Sequence, residues 1–187
     1  MGRINDRGHD GGNIWRWQTI EKYVRKNNWT KGAELGVWVG ETFKHLVKTC
    51  HNLHIIGVDL YEAQPGYDGP EQWTRGENGH AWDHETYYQD LVRFCQGYPG
   101  RAEIIKDFTT EAAKQVDDES LDFVYIDVWL EIEQIVPRIE KWSKKVRPGG
   151  IVSGHDWHYP PMQEILEFYR NEQPLYNVNN VWMWYKD

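Results

Sequence analysis

Cysteine is scarce in this chain: Cys50 and Cys95 are the only two in 187 residues, and they lie far apart. Each sits in an apolar, helix-spaced pattern, so both read as free core thiols and no disulfide framework or cysteine metal site is expected. Long apolar runs are missing too. No stretch approaches a membrane span, and Met1-Gly2-Arg3-Ile4-Asn5-Asp6 lacks the hydrophobic segment of a secretion signal. The expectation is a cytoplasmic, reducing setting without a membrane partner, where the sequon Asn28-Trp29-Thr30 meets no glycosylation machinery. Basic charge is also short, with 21 Lys and Arg against 29 Asp and Glu and a net charge of -8. That balance argues against a broad phosphate-binding face, so nucleic acid is not the expected partner.

What the chain does have is aromatic side chains, with eleven Trp and eleven Tyr. Core packing accounts for most such residues, and stacking surfaces for planar ligands are the alternative. Residues 1–12 are rich in Gly, Asp, Asn and Arg without apolar periodicity and read as a flexible tail ahead of a single domain over 13–187. Ile14, Trp17, Ile20, Tyr23 and Val24 recur at helical spacing. An apolar strand over 33–39 runs into Gly40, a helix follows through Thr42, Phe43, Leu46 and Val47, and a second strand covers 54–59. Residues 61–83, rich in Gly, Pro, Asp and aromatics, read as a lid-like insertion where an acceptor would be enclosed.

Helices are then predicted over 84–96, 109–116, 131–146 and 161–171. The strands between them fall at 102–106, 121–127 and 151–154, and Arg147-Pro148-Gly149-Gly150 is read as a helix stop. Segments 175–178 and 181–185 around Asn179-Asn180 read as an antiparallel hairpin at the sheet edge, whose apolar second strand makes a homodimer a reasonable expectation. The alternation predicts an α/β fold: a doubly wound, mostly parallel, Rossmann-like sheet with an antiparallel C-terminal hairpin. Ligands of such sheets bind beyond the carboxyl ends of the strands.

Chemistry-bearing residues concentrate at those ends. Gly36 and Gly40 follow the first strand and let backbone approach a ligand at a helix N-terminus. Asp59 ends the second strand, about twenty residues on, at the separation where a carboxylate reaches ribose hydroxyls. Together they indicate an adenosine-type cofactor. The spacing departs from G-x-G-x-x-G, and the bulky Trp38 would crowd a pyrophosphate, which favours a cofactor without phosphates and disfavours a nicotinamide-dependent oxidoreductase.

Glu34-Leu35-Gly36-Val37-Trp38-Val39-Gly40 resembles the first motif of class I S-adenosylmethionine-dependent methyltransferases. Gly57-Val58-Asp59 resembles their ribose-binding motif, and Ile104-Ile105-Lys106-Asp107-Phe108 the segment that contacts adenine. The segments 120–127 and 146–157 resemble a small-molecule O-methyltransferase-like subgroup. The resemblance implies S-adenosylmethionine as cofactor, with Glu34, Gly36, Gly40, Asp59, Asp107, Phe108 and Asp127 around it. It also implies a small-molecule acceptor, methylated on oxygen since the amino-methylating Asn/Asp-Pro-Pro-aromatic signature is missing. One departure weakens the catalytic part: the subgroup commonly reads Asp-Ala-Asp-His where this chain reads Asp127-Val128-Trp129-Leu130. A catalytically inactive cofactor-binding relative is therefore the alternative reading.

Methyl transfer from a sulfonium needs alignment and a nucleophile lone pair, and His155 at the fifth strand end is a candidate general base, with Asp127 as its catalytic companion. Asp127 and Asp156 are candidate oxygen ligands for Mg2+, or could instead orient His155. Against these stand simpler roles: the acids as helix caps and His155 as a solvated loop residue. The pairs His80 with His84 and His155 with His158 have chelating spacings but no matching second pair, so zinc is not expected.

Overall fold

The computed structural model describes residues 15–62, 83–128, 132–170 and 172–187. The expected tail, and the expected lid apart from residues 61, 62 and 83, lie outside them, as do His80 and the positions 129 and 130 of the departing motif.

The elements are α1 (Arg16–Asn27), β1 (Lys31–Leu35), α2 (Glu41–Thr49), β2 (His54–Asp59), α3 (His84–Gln96), β3 (Ala102–Lys106), α4 (Thr109–Ala112) with a 3-10 turn (Ala113–Gln115), β4 (Leu121–Ile126), α5 (Ile132–Ser143), β5 (Val146–Gly154), α6 (Pro160–Tyr169), β6 (Tyr176–Val178) and β7 (Val181–Tyr185). They form one seven-stranded sheet in the order β3-β2-β1-β4-β5-β7-β6. The first five strands run parallel, and β7 pairs antiparallel with both β5 and β6. Strand order reverses between β1 and β4, which is where a doubly wound sheet opens its crevice.

Two apolar layers cover the sheet. Ile20 and Val24 of α1, Phe43, Leu46 and Val47 of α2 and Leu91 of α3 pack on one face around Phe123 and Tyr125. Ala112, Ile139 and Trp142 with Met162 and Leu166 of α6 pack on the other around Val124 and Val152. Such burial is what holds helices this short in place. Trp142 is fully buried, and its indole N–H donates to the carbonyl of Thr109 at 2.8 Å, so the large ring carries no unmet polar atom. No helix among the described residues is long and apolar enough to cross a membrane.

Three features differ from expectation. First, α5 stops at Ser143 and β5 starts at Val146, so Arg147-Pro148-Gly149-Gly150 is not a helix stop but an irregularity inside a strand. The register jumps there from Leu121↔Val146 to Phe123↔Ile151. Asp122 explains the detour: its carboxylate accepts from Arg147 Nε at 2.8 Å and from the backbone N–H groups of Thr30 and Lys31 at 2.6 and 2.9 Å. The extra residues let Arg147 reach it, a bulge with a purpose.

Second, the helix expected over 109–116 breaks into one α turn and one 3-10 turn, and the last long helix runs Pro160–Tyr169 rather than 161–171. Third, the hairpin forms around Asn179 and Asn180, both with positive φ (54° and 63°), as a two-residue turn between antiparallel strands demands. Its apolar strand β7 is not an exposed edge, however. It is flanked by β5 and β6, and Val181, Trp182, Met183 and Trp184 are buried. The edge is the three-residue β6, so the homodimer expectation loses the surface it rested on.

Candidate active site

The parallel ladder continues one residue past β1, β3, β4 and β5 and fastens together the strand ends that carry the expected site residues. Gly36 N–H donates to the Val58 carbonyl at 2.9 Å, Asp107 N–H to Asp59 at 3.2 Å, Asp127 N–H to Leu35 at 2.8 Å and His155 N–H to Ile126 at 3.0 Å. Gly36, Asp59, Asp107, Asp127 and His155 therefore form one row along the carboxyl edge of the sheet. Gly36 has φ +82°, and a Cβ there would come within 2.1 Å of the Asp127 carbonyl oxygen, so only glycine fits. Gly40, also at positive φ, precedes α2, whose N-terminus has no side-chain cap.

Asp59 holds the glycine turn. Its carboxylate accepts from Trp38 N–H at 2.8 Å and from Tyr61 N–H at 3.0 Å, and the buried Tyr61 hydroxyl donates back to the Trp38 carbonyl at 3.1 Å. Asp107 accepts from Phe108 N–H at 2.7 Å, and it is Phe108, not Asp107, that stands at the N-cap of α4. The simple cap role therefore fails at Asp107. Phe108 is 50% exposed and Trp38 42%, two large aromatics presented to solvent near the glycine turn and the end of β3.

Beneath this edge Glu34 is buried at 2% exposure, and its Oε2 has no hydrogen-bond partner among the described residues. Burial, reinforced by the charge of Asp127, pushes its carboxyl well above the usual carboxylate range. The hydroxyl of its β4 neighbour Tyr125 is likewise buried and has no hydrogen-bond partner among the described residues.

The end of β4 and β5 gathers a second group. His155 Nδ1 lies 3.1 Å from Asp156 Oδ1 and 3.6 Å from Asp127 Oδ1. On the far side of the ring, Nε2 lies 3.2 Å from Asn180 Nδ2. Burial pulls the imidazole pKa down, but the Asp156 hydrogen bond and the charges of Asp127 and Asp156 outweigh it and the net direction is up. For Asp156, burial raises the carboxyl, while the hydrogen bond to His155 and the charges of His155 and His158 bring it below its ordinary value. Arg16 Nε stands 3.3 Å from the other oxygen of Asp127.

Asp127, His155 and Asp156 offer ligand atoms within 4.8 Å of one another. They do not fit Mg2+. That ion demands near-octahedral oxygen coordination, whereas here an imidazole sits between the carboxylates and the Arg16 guanidinium already balances Asp127. The His155 and His158 rings do not converge on a zinc position either, since Asn180 engages both, through Nδ2 to His155 and Oδ1 to His158 Nδ1 at 2.8 Å.

Two participants escaped the sequence reading. Arg16 opens α1, where a cation opposes the helix dipole; that misplaced charge was the available signal that it serves a partner elsewhere. Asn180 was visible only as a turn residue, because nothing local shows that the hairpin folds back onto β5.

Comparison with known proteins adds family and fold. The sequence model of a family described as a methyltransferase domain matches residues 33–157. A search of curated proteins returns no match. Among solved structures, a candidate caffeoyl-CoA O-methyltransferase from Staphylococcus aureus superimposes with a TM-score of 0.64 at 14% identity, over 92% of this chain and 83% of that one. A candidate O-methyltransferase from Nostoc punctiforme gives 0.60 at 13% identity, over 91% and 55%. The N-methyltransferase NodS from Bradyrhizobium japonicum gives 0.53 at 10% identity, over 89% and 90%. At such identities the likeness is one of fold.

Proposed function

The chain belongs to the family of that methyltransferase domain, and from this premise we propose that it transfers the methyl group of S-adenosylmethionine to an oxygen of a small-molecule acceptor. The observation that carries the reading is the row of laterally bonded strand ends, which sets the Gly36 turn, Asp59, Asp107 and Asp127 along one edge at the point where the strand order reverses.

S-adenosylmethionine, when bound, supplies an electrophilic methyl on a sulfonium. The chain's own part is to bind, align and receive a proton. Gly36 and Gly40 give close backbone approach, Asp59 offers its carboxylate to ribose hydroxyls, and Asp107 and Phe108 flank adenine. Glu34 lends a buried carboxyl beneath the turn. His155 takes the proton from the acceptor hydroxyl, and Asp127 with Asp156 orients the ring and stabilises the imidazolium that results. No step calls for a metal. The missing Asp and His after Asp127 are compensated in this reading by Arg16 and His155, one on each oxygen of Asp127.

Isothermal titration of the purified chain with S-adenosylmethionine, S-adenosylhomocysteine and NADH, with and without Mg2+, tests the assignment. Binding of the first two, unaffected by Mg2+, is expected. Preference for NADH or no binding at all overturns it.

A further inference from the structure

We propose that Asn180, in the turn of the C-terminal hairpin, is an acceptor-recognition residue that together with His155 selects hydroxyl over amine acceptors. The inference rests on the methyl-transfer reading above and narrows its substrate class.

The orientation of the Asn180 amide is set by its surroundings. The backbone N–H of His158 can only donate, and it lies 2.9 Å from Asn180 Oδ1, so the oxygen faces His158 and Nδ2 faces His155. Nδ2 can only donate, hence His155 Nε2 must present its lone pair and the ring proton of the neutral imidazole sits on Nδ1, toward Asp156 and Asp127. The rest of the ring's setting is rigid: the Trp182 indole N–H donates to the His155 carbonyl at 2.6 Å, and Asn180 O accepts from Trp157 N–H at 3.3 Å. Both residues remain partly solvent-accessible.

A donor and an acceptor 3.2 Å apart are close enough for one atom to touch both. A hydroxyl suits them by replacing the direct Asn180–His155 bond: its O–H donates to the single Nε2 lone pair that Asn180 gives up, one oxygen lone pair accepts from Asn180 Nδ2, and the second lone pair attacks the methyl carbon. The C–O bond forms as the methyl–sulfur bond breaks, the sulfur keeps that electron pair, and the proton passes to Nε2. A neutral amine has a single lone pair. If it accepts from Asn180 it has none left for the methyl, so the same donor that steadies an oxygen nucleophile suppresses a nitrogen one.

Asn180→Asp separates this role from that of a turn residue, since Asp tolerates positive φ and keeps an oxygen for the His158 N–H while losing the donor. Two measurements on the full chain are decisive. Nitrogen-15 NMR of the histidine ring should find His155 with its proton on Nδ1 in the native protein. In the variant, with carboxylates from Asp127, Asp156 and position 180 around the ring and, among the described residues, Arg16 and His158 opposing them, the imidazolium should persist to higher pH than in the native protein. A native ring protonated on Nε2 alone, or a ring state unchanged by the substitution, overturns the proposal. Matched acceptors, phenol against aniline and glucose against glucosamine, should show methylation of hydroxyl groups only, and the variant should lose about tenfold on oxygen with little loss on nitrogen. Equal native rates on both members of a pair, or an unchanged ratio in the variant, also overturn it. Where no pair turns over, the ring-state result alone decides. Failure of the native chain to bind S-adenosylmethionine would remove the methyl-transfer reading and leave the ring geometry standing, so the two failures are distinguishable.

Discussion

Arg16, the first residue of α1, lies 3.3 Å from the carboxylate of Asp127 at the end of β4, and its side chain is only 13% exposed. The half-buried guanidinium and carboxylate offset each other's charge, with Glu41 3.8 Å from Arg16 and His155 3.6 Å from Asp127 as further partners. The contact ties a helix that precedes the whole sheet to the strand at its centre. It also sets the electrostatics of His155, which shares Asp127 with Arg16.

Replacing Arg16 by Met should move the His155 titration to higher pH. Burial and the guanidinium both pull the imidazole pKa down, and without the guanidinium the two carboxylates are opposed by burial alone. NMR titration of the ring in both proteins checks this; a shift in the acid direction would contradict the account.

For the native chain, the base limb of methyl transfer should fall above the ordinary histidine value of about 6.5, since the net shift of His155 is upward. The same shift governs stability. A group whose folded pKa is raised contributes stability that is complete below its unfolded value and is lost as pH rises through the folded one. Asp156, shifted down, contributes above its own unfolded value and loses that contribution as pH falls through the folded one. Urea midpoints across pH should therefore show a stabilised window in the native chain that His155→Gln flattens.

Glu34→Gln should stabilise the cofactor-free protein at neutral pH while weakening S-adenosylmethionine binding. The sign follows from the raised carboxyl: as pH climbs past the ordinary range, the unfolded chain ionises freely and the folded one resists, so the native residue costs stability. Thermal melts and calorimetry on the same samples read both effects.

Gly36→Ala should fold poorly or bind no cofactor, as its methyl would have to displace the Asp127 carbonyl while strained at positive φ, a cost of about 1–3 kcal/mol before any clash. Asp59→Ala should weaken cofactor binding tenfold or more, about 1.4 kcal/mol, because the Trp38 and Tyr61 amides lose the acceptor that shapes the turn. Calorimetric titration of each variant decides the matter.

The parallel core of the fold was legible because its signals are local: apolar strands ending on Gly36, Asp59, Asp107 and Asp127, with helical periodicity between them. What escaped was set by distance in the chain. Arg147 looked like part of a helix stop because its partner Asp122 lies 25 positions away, and Asp122 in turn reaches back across 92 positions to Thr30. Asn180 looked like a turn residue for the same reason, and β7 looked like an edge because three residues of β6 suffice to cover it. The site's first half, built on β1 and β2, could be read by spacing. Its second half was legible at Asp127, His155 and Asp156, and Arg16 and Asn180 join it only through tertiary pairing.

The sheet order has a consequence for how the chain matures during synthesis. β1 leaves the ribosome long before β4, so its inner edge stands open while about ninety further residues are made, a late pairing of the kind that slows folding. Gly36 has no Asp127 to press against until then, and His155 has no Asn180 until the final hairpin closes. An unfinished chain would carry an unpaired strand, and Asp127, His155 and Asn180 would come into register only as the hairpin of β6 and β7 docks on β5.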